Sequence, residues 1–158
     1  TASQLGREFI LWQGYCPTHA RILPEYVSRV KRDHPAAEVL VHPECNGLVA
    51  AMADHVLSTG GMSRHVAASS VKEFIIGTEV EMVYRLQKDN PDKRFYPVTG
   101  LAVCPNMKKC TLDKVLYALE HMVHEVTVGP EIADRARGCI ERMLSYSRPA
   151  VDNRSVKV

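Results

Sequence analysis

Tryptophan occurs once and phenylalanine three times among 158 residues, aromatics reach only 6%, and no apolar run approaches the ~20 residues that a membrane-crossing helix needs. The longest run, around residues 48–52, is short and has polar neighbours, which argues against a membrane protein. A charge excess of one sign is also missing. Twenty basic and 18 acidic residues are mixed along the chain, so the formal net charge of +2 creates no field of the kind a nucleic-acid binder uses, and electrostatics names no partner. Nine glycines and nine prolines without a period exclude collagen, and 46% apolar residues exclude a disordered tail. Local motifs fail as well. No CxxC or HxxxH spacing supports a zinc ribbon or zincin, no GxSxG a serine hydrolase, and no GxxxxGK[ST] a nucleotide P-loop. The sequence opens on Thr1 rather than methionine and carries no secretory leader pattern, so a piece of a longer polypeptide is expected.

What is present is enough chain to bury about two-thirds of its unfolded surface without staples. Five cysteines, Cys16, Cys45, Cys104, Cys110 and Cys139, are odd in number and widely spaced, which argues against a disulfide framework. A reducing, cytoplasmic setting is expected, where such thiols are core residues by default, and metal ligation or nucleophilic catalysis is the exception that needs context.

Short Val/Ile-rich runs alternate with helical patterns. Phe9, Ile10, Leu11 and Trp12 read as a strand stopped at Gly14 to Pro17, and Pro24 opens a helix closed by Lys31, Arg32 and His34. Glu38–Val41 reads as a second strand, followed by a helix carrying Leu48, Val49, Met52 and Val56. Ser58, Thr59, Gly60 and Gly61 interrupt the pattern, and a weak helix resumes at Met62. Glu73 to Ile76 is a third strand, Val80, Val83 and Leu86 mark a helix ending by Pro91, and Arg94 to Val98 is a fourth strand. Two further helices follow, one capped by Thr111 and one opened by Pro130, before a polar tail. The alternation predicts an α/β fold, a three-layer α-β-α domain with a short parallel sheet plus C-terminal helices.

In such sheets ligands gather outside the carboxyl ends of the strands. Those ends carry Cys16 and His19, His42 and Glu44, Ser58 and Thr59, Thr78 and Glu79, then Cys104, Asn106 and Lys108. Each taken singly has a bland reading as a core thiol or turn residue. The Ser58–Gly61 hydroxyls and amides suit a small phosphate or carboxylate, yet the same tetrapeptide also makes an ordinary turn between helices.

The ordered set GYCPTH (14–19), HPEC (42–45), STGGM (58–62), IIGTE (75–79) with the following RLQKDNPDKRFYP, and CPNMKK (104–109) resembles the second half of the quinolinate synthase family. The resemblance implies a cytoplasmic enzyme of NAD biosynthesis that condenses iminosuccinate (iminoaspartate) with dihydroxyacetone phosphate to quinolinate, phosphate and water. An aspartate-oxidising enzyme would supply the iminosuccinate. It implies three similar α/β domains around one site, each giving one cysteine to a [4Fe-4S] cluster whose fourth iron acts as a Lewis acid.

By that resemblance Cys16 and Cys104 are cluster ligands, the third ligand is expected upstream, and Cys45, Cys110 and Cys139 match none. His42, Pro43 and Glu44 contact iminosuccinate, with Glu44 as acid/base and His42 and His19 orienting or protonating oxygens; Ser58 and Thr59 bind substrate. Residues 1–19 would end the preceding domain, 20–104 form the third, 105–146 the C-terminal helices and 147–158 a flexible tail. The terminal helices would leave apolar faces exposed, and the chain alone would be inactive. Lys108 and Lys109 are expected to be solvated. Glu81 departs from an expected glycine, with an effect confined to the local turn. Two competing readings remain: a non-catalytic truncated homologue that serves as a small-anion-binding or interaction module, and a zinc site made from Cys16, His19 and Cys104.

Overall fold

A computed structural model describes residue 6, residues 8–10 and residues 13–147. The order of elements is α1 (Pro17–Ala20), α2 (Pro24–Asp33), β1 (Glu38–Val41), α3 (Gly47–Ala51), β2 (His55–Val56), α4 (Thr59–Ala68), β3 (Glu73–Gly77), α5 (Met82–Asp89), β4 (Arg94–Pro97), a 3-10 turn at Met107–Lys109, α6 (Leu112–His121) and α7 (Pro130–Ser147). The chain divides into two compact units, one reaching Lys109 and one starting at Cys110.

In the first unit the four strands form one parallel sheet in the order β2-β1-β3-β4. Alternation along the strands explains why both faces are covered. Val39 and Val41 of β1 and Ile75 of β3 point to one face, where they pack with Ile22, Val27 of α2 and Val49 of α3. Leu40, Phe74 and Ile76 point to the other, against Met62 and Val66 of α4 and Leu86 of α5. Each such fully buried side chain contributes roughly 1.5–3 kcal/mol of transfer free energy, and a strand apolar on both faces has no stable position except between two helical layers. The result is the three-layer α/β architecture. Lys93 is a buried cation inside it. Its buried ammonium donates to the carbonyls of Val66 and Ser69, which satisfies the carboxyl end of α4, and sits 5.6 Å over the Phe74 ring.

Local signals place the helix starts. Pro24 occupies the first turn of α2, the Asn46 side chain accepts from the Val49 amide to cap α3, and Ser58 and Thr111 do the same for α4 and α6. Two readings are corrected. Val56 is not on a helix: α3 stops at Ala51, and His55–Val56 form the edge strand β2, paired with Leu40 and Val41. Asp54 enforces the change, because its backbone N–H donates to the Val39 carbonyl while its carboxylate accepts from the Val39 N–H at 2.7 Å. The strand expected over residues 9–12 is not formed by its described part. Phe9 and Ile10 are exposed and outside any element, with no strand beside them among the described residues; Leu11 and Trp12 lie outside those residues.

The second unit is the pair α6 and α7. No residue of α6 is buried, and Leu112, Leu119, Ile132 and Met143 are exposed. The tail residues 148–158 lie outside the described part. Among the described residues no helix is long and apolar enough to cross a membrane.

The contact that fixes the sheet's carboxyl edge lies at Gly77. A Cβ added there would stand 2.8 Å from Cγ1 of Val41, inside van der Waals contact with the neighbouring strand. Gly77→Ala is therefore expected to force β1 and β3 apart and cost about 1–3 kcal/mol, read as a melting temperature lower by at least ~2 °C in thermal denaturation of purified protein.

Candidate functional site

Register brings the sequence-remote residues to one edge. Val41 pairs with Val56 on one side and Gly77 on the other, and Val98 continues β4 by donating to the Ile76 carbonyl. His42 to Cys45, Leu57 to Thr59, Thr78 and Glu79, and the segment after β4 therefore all leave the sheet at its carboxyl end. α1 joins them, with Cys16 as the residue just before its first turn.

The densest contacts surround His19, which is buried. Its Nε2 lies 2.9 Å from the Thr78 hydroxyl, and its ring stacks on that of His42 with centroids 4.3 Å apart and planes 13° from parallel. Nδ1 stands 3.1 Å from Glu44 Oε2, close enough for ion pairing but at an angle that makes no hydrogen bond. Glu44 is half exposed and also lies 3.5 Å from His42 Nδ1, while its own amide donates to that nitrogen. Burial, and next the neighbouring His42 ring, hold the His19 imidazole below its ordinary pKa of 6.5, outweighing the upward pull of Glu44 and Glu79. Cys16 Sγ, a His19 nitrogen and a Glu44 oxygen all lie within 4.8 Å of one another.

Cys104 reaches the same place from the other end of the unit. It lines a cavity of about 160 Å³ together with Cys16, Pro17, Thr18, Arg21, Pro105 and Asn106. The backbone N–H of Met107, with help from that of Asn106 and from the Thr18 hydroxyl, lowers the Cys104 thiol pKa against burial and Glu79. Its amide donates to Glu79 Oε1. Cys45 behaves in the opposite way. It is buried in the core, its thiol donates to the Gly77 carbonyl at 3.4 Å, and burial pushes its pKa up to about 11, so it stays protonated. Cys110 and Cys139 are exposed thiols of the second unit.

The edge thus clusters Cys16, His19 and Glu44, stacks His42 on His19, and sets Cys104 on a cavity shared with Cys16. Ser58 and Thr59 leave the same edge at the start of α4, both exposed, and Ser58 uses its hydroxyl as the helix cap by accepting from the Gly61 amide. The tetrapeptide is a strand-to-helix junction, not a turn between helices. Three positioning groups escaped the residue reading. Thr78 and Glu79 stood out only as strand-end residues, and nothing local marked Thr18, whose role depends on Cys104 approaching from far along the chain. Lys108 is not simply solvated: it pairs with Glu81 Oε1 at 3.0 Å and lies 3.7 Å from Glu79 Oε1. Glu81 thereby reaches beyond its local turn, to the segment that carries Cys104.

The fold and these groups define a parallel α/β domain that gathers thiols, imidazoles and carboxylates at the carboxyl edge of its sheet, a layout suited to binding and transforming a small anion. Residues 1–145 match the family described as quinolinate synthetase A protein. Quinolinate synthase of Dehalococcoides mccartyi strain CBDB1 is 54% identical over 138 residues, covering 87% of this chain and 46% of the relative. The corresponding values are 49% identity for quinolinate synthase of Thermodesulfovibrio yellowstonii, with 88% and 46% covered, and 44% for quinolinate synthase 1 of Methanosarcina acetivorans, with 91% and 47% covered. The chain belongs to the quinolinate synthase family, and it spans about half the length of the curated relatives it matches.

The His19 environment has a measurable consequence. In a histidine NMR titration His19 should protonate below 6.5; His42→Ala should raise that pKa and Glu44→Gln should lower it further. Because the folded-state pKa is depressed, the corresponding contribution to stability is complete above the unfolded value and is lost as pH falls through the folded one.

Proposed function

We propose that this chain works as part of a quinolinate synthase of NAD biosynthesis, forming quinolinate, phosphate and water from iminosuccinate and dihydroxyacetone phosphate around a [4Fe-4S] cluster. The observation that carries the reading is that Cys16 and Cys104, almost a whole domain apart in sequence, line one cavity, with His19 and Glu44 beside Cys16. The donor chemistry fits such a group. Cys104 is eased toward its thiolate form by amide and hydroxyl donors at its sulfur, as a cluster ligand requires, while Cys45 is held as a protonated core thiol. When bound through three protein cysteines, the cluster supplies a Lewis-acidic iron for a substrate oxygen. The third cysteine is expected in the length of polypeptide that the relatives have and this chain lacks.

The chain's own residues account for binding and proton movement. Glu44, half exposed and in reach of two imidazoles, takes and returns protons during imine condensation and dehydration. His19, kept neutral by burial, and His42, stacked on it, orient or protonate substrate oxygens, while Thr78 fixes the His19 ring. Pro43 shapes the turn between His42 and Glu44. Ser58, whose oxygen accepts the cap bond from Gly61 while its O–H stays able to donate, and Thr59 beside it offer hydroxyls at the opening of α4 for a substrate anion. An aspartate-oxidising enzyme would supply the unstable imine, and the reaction belongs in the cytoplasm.

The test is anaerobic iron and sulfide reconstitution of the polypeptide extended to the length of its relatives. A four-iron cluster should form in wild type and in Cys45→Ser and be lost or crippled in Cys16→Ser and Cys104→Ser. A cluster that depends on Cys45 would overturn the ligand assignment. Zinc without sulfide would favour a mononuclear site on Cys16, His19 and Glu44. No metal at all would favour a non-catalytic anion-binding module. In the reconstituted enzyme Glu44→Gln should lower the rate of quinolinate formation by about 10²–10⁴-fold.

A further inference from the structure

A second group of metal-ligating side chains lies at the opposite end of β1 from His42. Glu38 opens β1, His55 opens the edge strand β2, and His65 lies on α4. One carboxylate oxygen, Glu38 Oε1, meets both imidazoles, at 2.7 Å from His55 Nε2 and 3.1 Å from His65 Nε2. The two rings are tilted by 47° with centroids 4.3 Å apart, so their Nε2 atoms converge on the same point instead of stacking past each other. The second oxygen, Glu38 Oε2, is buried and has no hydrogen-bond partner. All three ligand atoms lie within 4.8 Å of one another.

We infer that Glu38, His55 and His65 form a divalent transition-metal site of the zinc type, with two imidazole nitrogens, one carboxylate oxygen and a water-accessible fourth position. The donor set matches what zinc takes in proteins, and bonds of ~2.0–2.2 Å in a tetrahedron set donors about 3.3–3.5 Å apart. The His65 contact at 3.1 Å lies within a few tenths of an ångström of that spacing, and the His55 contact at 2.7 Å would lengthen by about 0.6–0.8 Å. An ion would compensate the carboxylate, whose buried second oxygen otherwise stands without a partner in a medium that penalises it. His55 is 44% exposed, which leaves an entry route. The His65 ring is backed edge-on by Phe74 at 6.4 Å, and the His55 backbone is held in register opposite Leu40. The metal's work here would be structural. It would tie β1, the two-residue strand β2 and α4 together, and so hold the junction from which Ser58 and Thr59 emerge.

The experiment uses the full 158-residue chain carrying Cys16→Ser and Cys104→Ser, which removes the thiols of the other edge, stripped of metal and titrated with zinc against a chromophoric chelator. One equivalent should bind, and His55→Gln or His65→Gln should weaken it at least tenfold, since even loss of an outer partner costs 10–100-fold. Cobalt in place of zinc should give a visible spectrum without a thiolate charge-transfer band. A second measurement needs no further substitution: zinc should protect His55 and His65, and not His34, from diethyl pyrocarbonate. If no equivalent binds, if binding ignores both histidine variants, or if zinc leaves the labelling of His55 and His65 unchanged, the site does not exist.

Discussion

The carbonyl oxygen of Gly77 takes two donors from the turn that follows β1: the His42 amide at 2.9 Å and the Cys45 thiol at 3.4 Å. Everything at the carboxyl edge is referenced to that point. The His42 amide bond extends the β1–β3 ladder by one rung and sets the imidazole where it can stack on His19; the thiol contact turns Cys45 inward and lets Glu44 face out. Only glycine permits it, because Val41 lies too close for a Cβ. A buried thiol with a raised pKa and an exposed carboxylate one residue apart are therefore two results of one strand contact.

The same edge shows how neighbours with similar composition acquire different chemistry. Cys45 and Cys104 are both cysteines close to a sheet edge, yet one is desolvated among valines and the other sits under backbone N–H groups of a 3-10 turn, so their proton affinities move in opposite directions. Glu79 organises the second environment: it accepts from the amides of Glu81 and Cys104 and faces Lys108. Glu81 and Lys108 pair beside it, so the turn after β3 and the segment after β4 are joined by charge as well as by backbone.

Much of this could be read from the residues. The Val/Ile runs of β1 and β3 declare themselves because both faces are buried, and Pro24, Thr111 and Pro130 mark helix starts through chemistry that acts within one turn. The ordered motifs also drew attention to Cys16, His42, Glu44 and Cys104, which the fold gathers at one edge. What escaped depends on distance. β2 is two residues long and exists through its register with β1 and the grip of Asp54 on Val39, neither of which leaves a hydrophobic pattern. Thr18 acquires its partner Cys104 only when segments from opposite ends of the unit meet, and Glu81 meets Lys108 only once the segment after β4 returns beside β3. Phe9 and Ile10 show the converse, apolar residues that join no strand among the described residues.

The strand order carries a consequence for how the protein comes into being. In the arrangement β2-β1-β3-β4 the outer pairs join neighbouring strands through single helices, whereas the central β1–β3 pair must close across α3, β2 and α4. That least local pairing carries the greatest loop-closure entropy, and it is the one that brings Gly77 to His42. During synthesis or refolding, the turn carrying His42, Glu44 and Cys45 has no Gly77 carbonyl to close on until that contact has formed. A partly folded chain therefore carries the residues of the carboxyl edge without their shared geometry.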